Sequence, residues 1–264
     1  MLALKKGQYS GNVTEICGEA GIIASITAYN EDTFNGSLHY HDNAHISFVL
    51  QGACIEKKKT SYDRMPGKII YYSAGEPHQV MHILKPSRHI NLEIEPNFFE
   101  QYNVSDTALN AATTKNPDAK FLMIKMYKEL LAKDDFSTVS IQMLLLNLVQ
   151  ETKKLQYEKK IPSWIKIVIE LLHEHWDETI TLQQLSTAAN IHPVNISKYF
   201  PIYFSCTLGE YMRKLKIEKA LGLIRSSPVS LTDVAYKCGF ADQSHFIRTF
   251  KAYTDFLPAA YQKL

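Results

Sequence analysis

Two hydrophobic periods divide the chain. From about residue 22 to residue 94, apolar positions fall in short runs of β-branched and aromatic residues, at 21–27, 45–50, 68–72 and 89–94. Gly36, Gly52, Pro66, Gly67, Gly75 and Pro77 punctuate these runs. Short strands closed by turn residues predict a β-sandwich or barrel. After Pro96 the period becomes helical, and residues 118–133 and 140–158 contain no glycine or proline. In the second segment Ile141, Leu145, Leu148, Thr152 and Leu155 recur in steps of four and three, about two heptads. Such a seam either packs on the barrel or joins two subunits. Residues 159–162 mark a domain boundary, with Pro162 and Ser163 opening a helix whose stripe is Trp164, Ile167, Val168, Leu171 and Leu172.

The remaining pattern occurs twice. Thr181 and Gln184 form a capping box ahead of an apolar stripe, Asn190 supplies the turn, and Ile196 and Phe200 sit one helical turn apart. Ser230 and Asp233 open the second copy, with Leu231, Val234 and Ala235 as its stripe, Gly239 as its turn and Phe246 and Phe250 as its apolar pair. Phe200-x4-Ser205-x5-Tyr211 repeats as Phe250-x4-Asp255-x5-Tyr261. Between the copies, Thr207 and Glu210 cap a helix to about Arg225 with Met212, Leu215, Ala220 and Leu223 inward. At 1.5 Å per residue this rod spans ~28 Å, close to the ~34 Å repeat of the major groove. Each copy reads as a helix-turn-helix, units 181–200 and 230–250, or as a solvated helix pair. The outward faces are His192, Val194, Asn195, Ser197 and Lys198 in the first, and Gln243, Ser244, Ile247, Arg248 and Lys251 in the second. Arginine and glutamine suit bidentate contacts to guanine and adenine, whereas Lys198 is a poorer reader. Pro201 is expected to end the first reading helix early.

The wording of the second unit is specific. Gly239-Phe240-x-Asp242-Gln243-Ser244-His245-Phe246-x-Arg248-x-Phe250-Lys251, followed by Pro258 and Tyr261, resembles the second helix-turn-helix of the AraC/XylS family of bacterial transcription regulators. Asp255 stands where that family usually has glycine, and Gln262 where it usually has arginine. The first unit resembles the family's first one, with Lys198 for an arginine and Pro201 for a basic residue. Near the other end, His39-x-His41-x3-His45 and Gly52 precede Gly67-x5-Ser73-Ala74-Gly75-Glu76-Pro77-His78. These stretches resemble the paired motifs of cupin barrels, with His45 in place of a glutamate and Ser73 in place of a proline.

The resemblance implies a two-domain α+β chain: a cupin-like effector barrel at 1–105, a helical dimerisation or linker segment at 106–160, and an all-α DNA-binding domain at 161–264. It implies double-stranded promoter DNA, a small-molecule effector and a second copy of the chain as partners, with RNA polymerase as a further one. Strand alternation puts His39, His41 and His45 on one face. With His78 and Tyr72 they would form the effector site, and the four imidazoles could hold a transition metal or be satisfied by hydrogen bonds alone. Tyr40, Tyr71, His82 and His89 are further candidates for its lining. Two rivals remain: a metal-dependent cupin enzyme fused to a DNA-binding module, and a ligand-free barrel acting only in dimerisation. Against the enzyme stands the want of any other acid–base constellation.

Charge and cysteines adjust this picture slightly. Residues 159–264 carry 13 Lys+Arg against 9 Asp+Glu, and residues 1–158 carry 16 against 18, so the basic surplus lies in the C-terminal part. Cys17, Cys54, Cys206 and Cys238 form no C-x-x-C pair and read as buried thiols of a reducing cytoplasm. The first residues turn polar too soon for a signal peptide, and no apolar run reaches membrane-span length. Lys57, Lys58 and Lys59 read as a solvated hairpin turn.

Overall fold

The computed structural model describes residues 1–30, 36–155, 162–226 and 229–264. They divide into two compact units, Met1–Thr152 and Lys153–Leu264. The boundary expected at residues 159–161, and the side chains of Thr152 and Leu155, lie outside the described residues. No helix among the described residues is long and apolar enough to cross a membrane.

Unit 1 begins with β1 (Leu2–Leu4), β2 (Asn12–Glu19), β3 (Ile22–Tyr29), β4 (His39–His41), β5 (Ala44–Lys57), β6 (Ser61–Arg64), β7 (Ile69–Tyr72) and β8 (Gln79–Ile94). The main sheet runs β2-β3-β8-β5-β6, with β7 also paired to β5. It is mixed with helices as the α+β reading expects, but among the described residues it is open, with β2 at one edge and β6 and β7 at the other. The closed barrel is therefore corrected to an open antiparallel sheet with a two-stranded β1–β4 sheet beside it. β1 and β4 have three residues each, and β4 meets the chain just before β8 through the His39–His78 bridge and a hydrogen bond from the Gly75 amide to the His41 carbonyl. Gly52 lets β5 bend against β8: its φ is +78°, and a Cβ there would lie 2.7 Å from the Leu84 carbonyl oxygen.

Both faces of the sheet are buried, for different reasons. Ala24, Ile26, Ile46, Phe48, Ile90 and Leu92 share the apolar face. After the sheet come α1 (Pro96–Tyr102), α2 (Asp106–Lys115), α3 (Ala119–Ala132) and α4 (Ser137–Leu155), with α2 packed on β7 and α3 on β2. The heptad positions Ile141, Leu145 and Leu148 are at most 1% exposed, so they pack inside unit 1 and are closed to a partner. Lys58 is another correction. The β5–β6 turn is present, but the Lys58 Nζ donates to the Tyr71 carbonyl at 2.7 Å and pairs with Glu76 at 3.0 Å instead of being solvated. Cys17, on edge strand β2, is only partly buried, unlike Cys54, Cys206 and Cys238.

Unit 2 is helical: α5 (Ser163–Glu174), α6 (Leu182–Ala189), α7 (Pro193–Phe204), α8 (Leu208–Ser226), α9 (Leu231–Lys237), α10 (Gln243–Thr254) and α11 (Pro258–Gln262). In α5 the buried stripe is Ile165, Val168 and Leu172, and Ile167 is exposed, a shift of phase from the expected stripe. α8 packs against α7, α9, α10 and α11 and buries Ile217, Leu221 and Ile224 besides Leu215 and Ala220.

Candidate functional sites

The two helix-turn-helix units are built from local signals. Before α6, the Gln184 amide donates to Thr181 Oγ1 at 3.3 Å and the Thr181 amide donates to Gln184 Oε1 at 2.8 Å. Asn190 turns the chain with φ +49°, and the Ser186 hydroxyl donates to the Ile191 carbonyl at 2.7 Å. Ile196 and Phe200 then pack on Val168, Leu172, Leu185 and Ala189. In the second unit Ser230 caps α9 and Asp242 caps α10. Gly239 between them has φ +67°, and a Cβ would lie 2.0 Å from the Asp177 carbonyl oxygen. Phe250 and Tyr261 have ring centroids 5.5 Å apart, and Phe200 and Tyr211 repeat that spacing.

This packing leaves opposite faces open. On α10, Ser244, Arg248 and Lys251 are exposed and Gln243 and Ile247 half-buried. On α7, Val194, Ser197 and Lys198 are exposed and Asn195 half-buried, while His192 is the N-cap and accepts from the Val194 amide at 3.3 Å. Pro201 does not end this helix. α7 continues to Phe204 and closes with the Ser205 amide donating to the Pro201 carbonyl at 2.9 Å. Proline removes one intrahelical donor, and the last turn is held by the Phe204 ring, 4.5 Å from Phe200 and 5.5 Å from Tyr211.

The second site lies in unit 1. Residues opposite one another in a sheet share a face, and the pairs His45–Glu93, Ser47–Asn91, His45–Tyr72, Ser25–Asn91 and Thr27–His89 form a polar face. It is buried all the same. The N-terminal segment is tied to it where Glu93 accepts from the Gly7 amide at 2.8 Å and from Asn43 Nδ2 at 2.7 Å. Tyr9 lies 5.5 Å from the His41 ring.

His39, His41 and His78 converge here, with one ligand nitrogen from each within 4.8 Å of the others. His45 is outside that group, although its ring is 4.1 Å from His41 and stacks on Tyr72 at 4.3 Å. The His39 and His78 backbones exchange hydrogen bonds of 2.8 and 2.9 Å, which fixes the pair. His39 Nδ1 meets the Ser37 carbonyl at 2.8 Å and His78 Nδ1 the Glu76 carbonyl at 3.0 Å. As donors to carbonyls, both rings keep the proton on Nδ1 and leave the Nε2 lone pair free, the arrangement typical of metal-binding histidines. Burial, helped by neighbouring imidazoles, lowers His41 and His78 to about 3, and burial lowers His39 and His45 as well. At neutral pH all four are uncharged, so the donor set fits a divalent transition metal.

Sequence reasoning missed the centre of this face. Arg64, 2% exposed, donates to Ser47 Oγ at 2.8 Å, to Glu56 Oε2 at 3.2 Å and to the Tyr72 hydroxyl at 3.3 Å. Burial pushes the Glu56 carboxyl up, against the pull of Arg64. Arg64 Nε, His41 Nδ1 and His45 Nδ1 are buried without a hydrogen-bond partner among the described residues. Of the further candidates, His89 lies on this face, Tyr71 turns away to donate to Asp106 at 2.5 Å, Tyr40 is half-buried and His82 is exposed. The signal that could have located the face is Ser25-x-Thr27, His45-x-Ser47 and His89-x-Asn91-x-Glu93, polar residues at every second position.

Comparison with known proteins bears on the helix-turn-helix units. A family described as a helix-turn-helix domain matches residues 185–264. The chain is 25% identical over 251 residues to the uncharacterized HTH-type transcriptional regulator YdeC of Bacillus subtilis, covering 86% of each protein. It is also 25% identical over 118 residues to the HTH-type transcriptional activator RhaS of Escherichia coli, covering 44% of this chain and 42% of RhaS, less than half of that protein's length. Among solved structures, apo ToxT of Vibrio cholerae aligns over 93% of this chain and 98% of its own, at 13% identity and a TM-score of 0.38.

Proposed function

We propose that this chain, which is a transcription regulator of the AraC type with a DNA-binding helix-turn-helix domain and not an enzyme, uses α7 and α10 to read double-stranded promoter DNA under the control of a small molecule held on the polar face of unit 1. The observation that carries the effector half is that face itself. A buried arginine nitrogen and two buried imidazole nitrogens without partners among the described residues are costly unless a ligand or water completes them. The DNA half rests on two repeated units whose second helices turn Lys198, Arg248 and Lys251 outward.

His39, His41 and His78 would hold a transition metal, with His45 and Tyr72 beside it. A bound metal would supply an open Lewis-acidic position for an oxygen or nitrogen of the effector. The regulator works in the cytoplasm, and RNA polymerase at the same promoter is its further partner. It pairs with a second copy through the exposed Phe136, Val139 and Met143 rather than the buried heptad seam.

Addition of Zn²⁺, Ni²⁺ or Fe²⁺ to tag-free protein tests the site. One equivalent should bind and raise the melting temperature of the wild type, but not of the His41→Ala/His78→Ala variant, and both proteins should bind DNA equally. Equal stabilisation of both would remove the metal, and loss of DNA affinity in the variant would show that these histidines support the fold instead.

A further inference from the structure

Val194 is an exposed aliphatic residue at the business end of a helix whose other face is packed. Its side chain stands in the first turn of α7, two residues after the His192 cap, and the residue is 61% exposed. Ile196 and Phe200, both fully buried, point the other way, so Val194 stands mostly outside the packing of its own helix. The internal repeat identifies its counterpart. Setting Ile196 and Phe200 upon Phe246 and Phe250 places Val194 on Ser244 and Lys198 on Arg248. The second unit thus has a hydroxyl and a guanidinium, both hydrogen-bonding readers, where the first has a branched alkyl group and an ammonium.

We infer that Val194 is a specificity residue of the first unit and selects thymine by packing on its C5-methyl group. The first residues of a helix in the major groove are those that meet base edges, and the thymine methyl is the one apolar group a base pair presents there. Valine is stiff about χ1, so little side-chain freedom is lost on contact. Lys198, one turn further along the same face, supplies the charge that holds such a helix on phosphate. The first unit therefore reads by methyl contact where the second reads by hydrogen bonds. This rests on the reading of α7 as a groove helix.

Uracil lacks only that methyl, which permits a direct test. A duplex is selected from random DNA with the full chain, and each thymine of the bound site is replaced in turn by deoxyuridine. Loss of one buried methyl should weaken wild-type binding about fourfold at one or two positions in the half of the site covered by the first unit. Val194→Ala should bind the thymine duplex about as weakly as the wild type binds the uracil one, and should lose its sensitivity at those positions alone. Because Val194 lies outside the core, circular dichroism and melting of the variant should match the wild type. Sensitivity retained by Val194→Ala at every position, or no sensitivity in the wild type, overturns the assignment. An unchanged DNA affinity in Val194→Ala with impaired transcription at the bound promoter also overturns it and moves the residue to a protein contact. Failure to select any duplex would count against DNA reading by α7 altogether, a different result from selection without methyl dependence.

Discussion

His89 shows how far a single residue is governed by its surroundings. It lies on the polar face, 1% exposed, with Nε2 3.1 Å from the Ser87 hydroxyl, and burial with Arg64 nearby holds its pKa well below the ordinary value. Between that depressed value and the 6.5 of an unfolded histidine, the unfolded chain binds the extra proton. Stability therefore rises with pH across this window and falls as the solution is acidified below 6.5. Each such imidazole contributes a slope of at most about 1.4 kcal/mol per pH unit. His89→Gln should remove one share, so urea midpoints measured from pH 6.5 to 5 should fall less steeply than in the wild type. An unchanged slope would mean that His89 is as readily protonated in the folded chain. The sequence offered His89 only as one of several candidate lining residues, because a histidine two residues from Asn91 and four from Glu93 also suits a solvated face. Arg64 and Glu56 were hidden for the same reason: they flank a lysine turn, and only the register of β5 on β6 brings them inward.

At the scale of elements, what was legible was what is local. Caps at Thr181 and Ser230, left-handed turns at Asn190 and Gly239, and the pairs Ile196/Phe200 and Phe246/Phe250 all act within a few residues. The helix-turn-helix units could be read from them almost completely. The strands were legible as runs, but not which face of each was covered, since that depends on contacts such as those of Gly7 and Tyr9, in a segment that carries no strong period of its own. α7 corrects the proline rule in the other direction, because ring packing of Phe204 outweighs one missing hydrogen bond. Its missing donor also offers a test. Pro201 corresponds to Lys251 in the second unit, so Pro201→Lys restores the amide and adds a cation. The variant should bind DNA more tightly at low salt, with the slope of log K against log salt steeper by about 1. A slope identical to the wild type would place residue 201 away from phosphate.

For the molecule as a whole, the proposed sensing and reading fall to separate compact units, one with a covered polar face and one with two exposed helical faces. The division was visible in the sequence as a change of hydrophobic period and a small shift of charge. The openness of the sheet was not, since runs of similar length suit a sheet or a closed barrel. Both α7 and α10 are proposed to enter the major groove, held apart by α8, a helix of 19 residues or ~28 Å. Hydroxyl-radical footprinting of the full chain on a duplex selected from random sequence tests this most directly. Two protected patches on one face of the DNA, centred about 10 base pairs apart, are the predicted result, and a single protected patch, or protection without sequence preference, would contradict it.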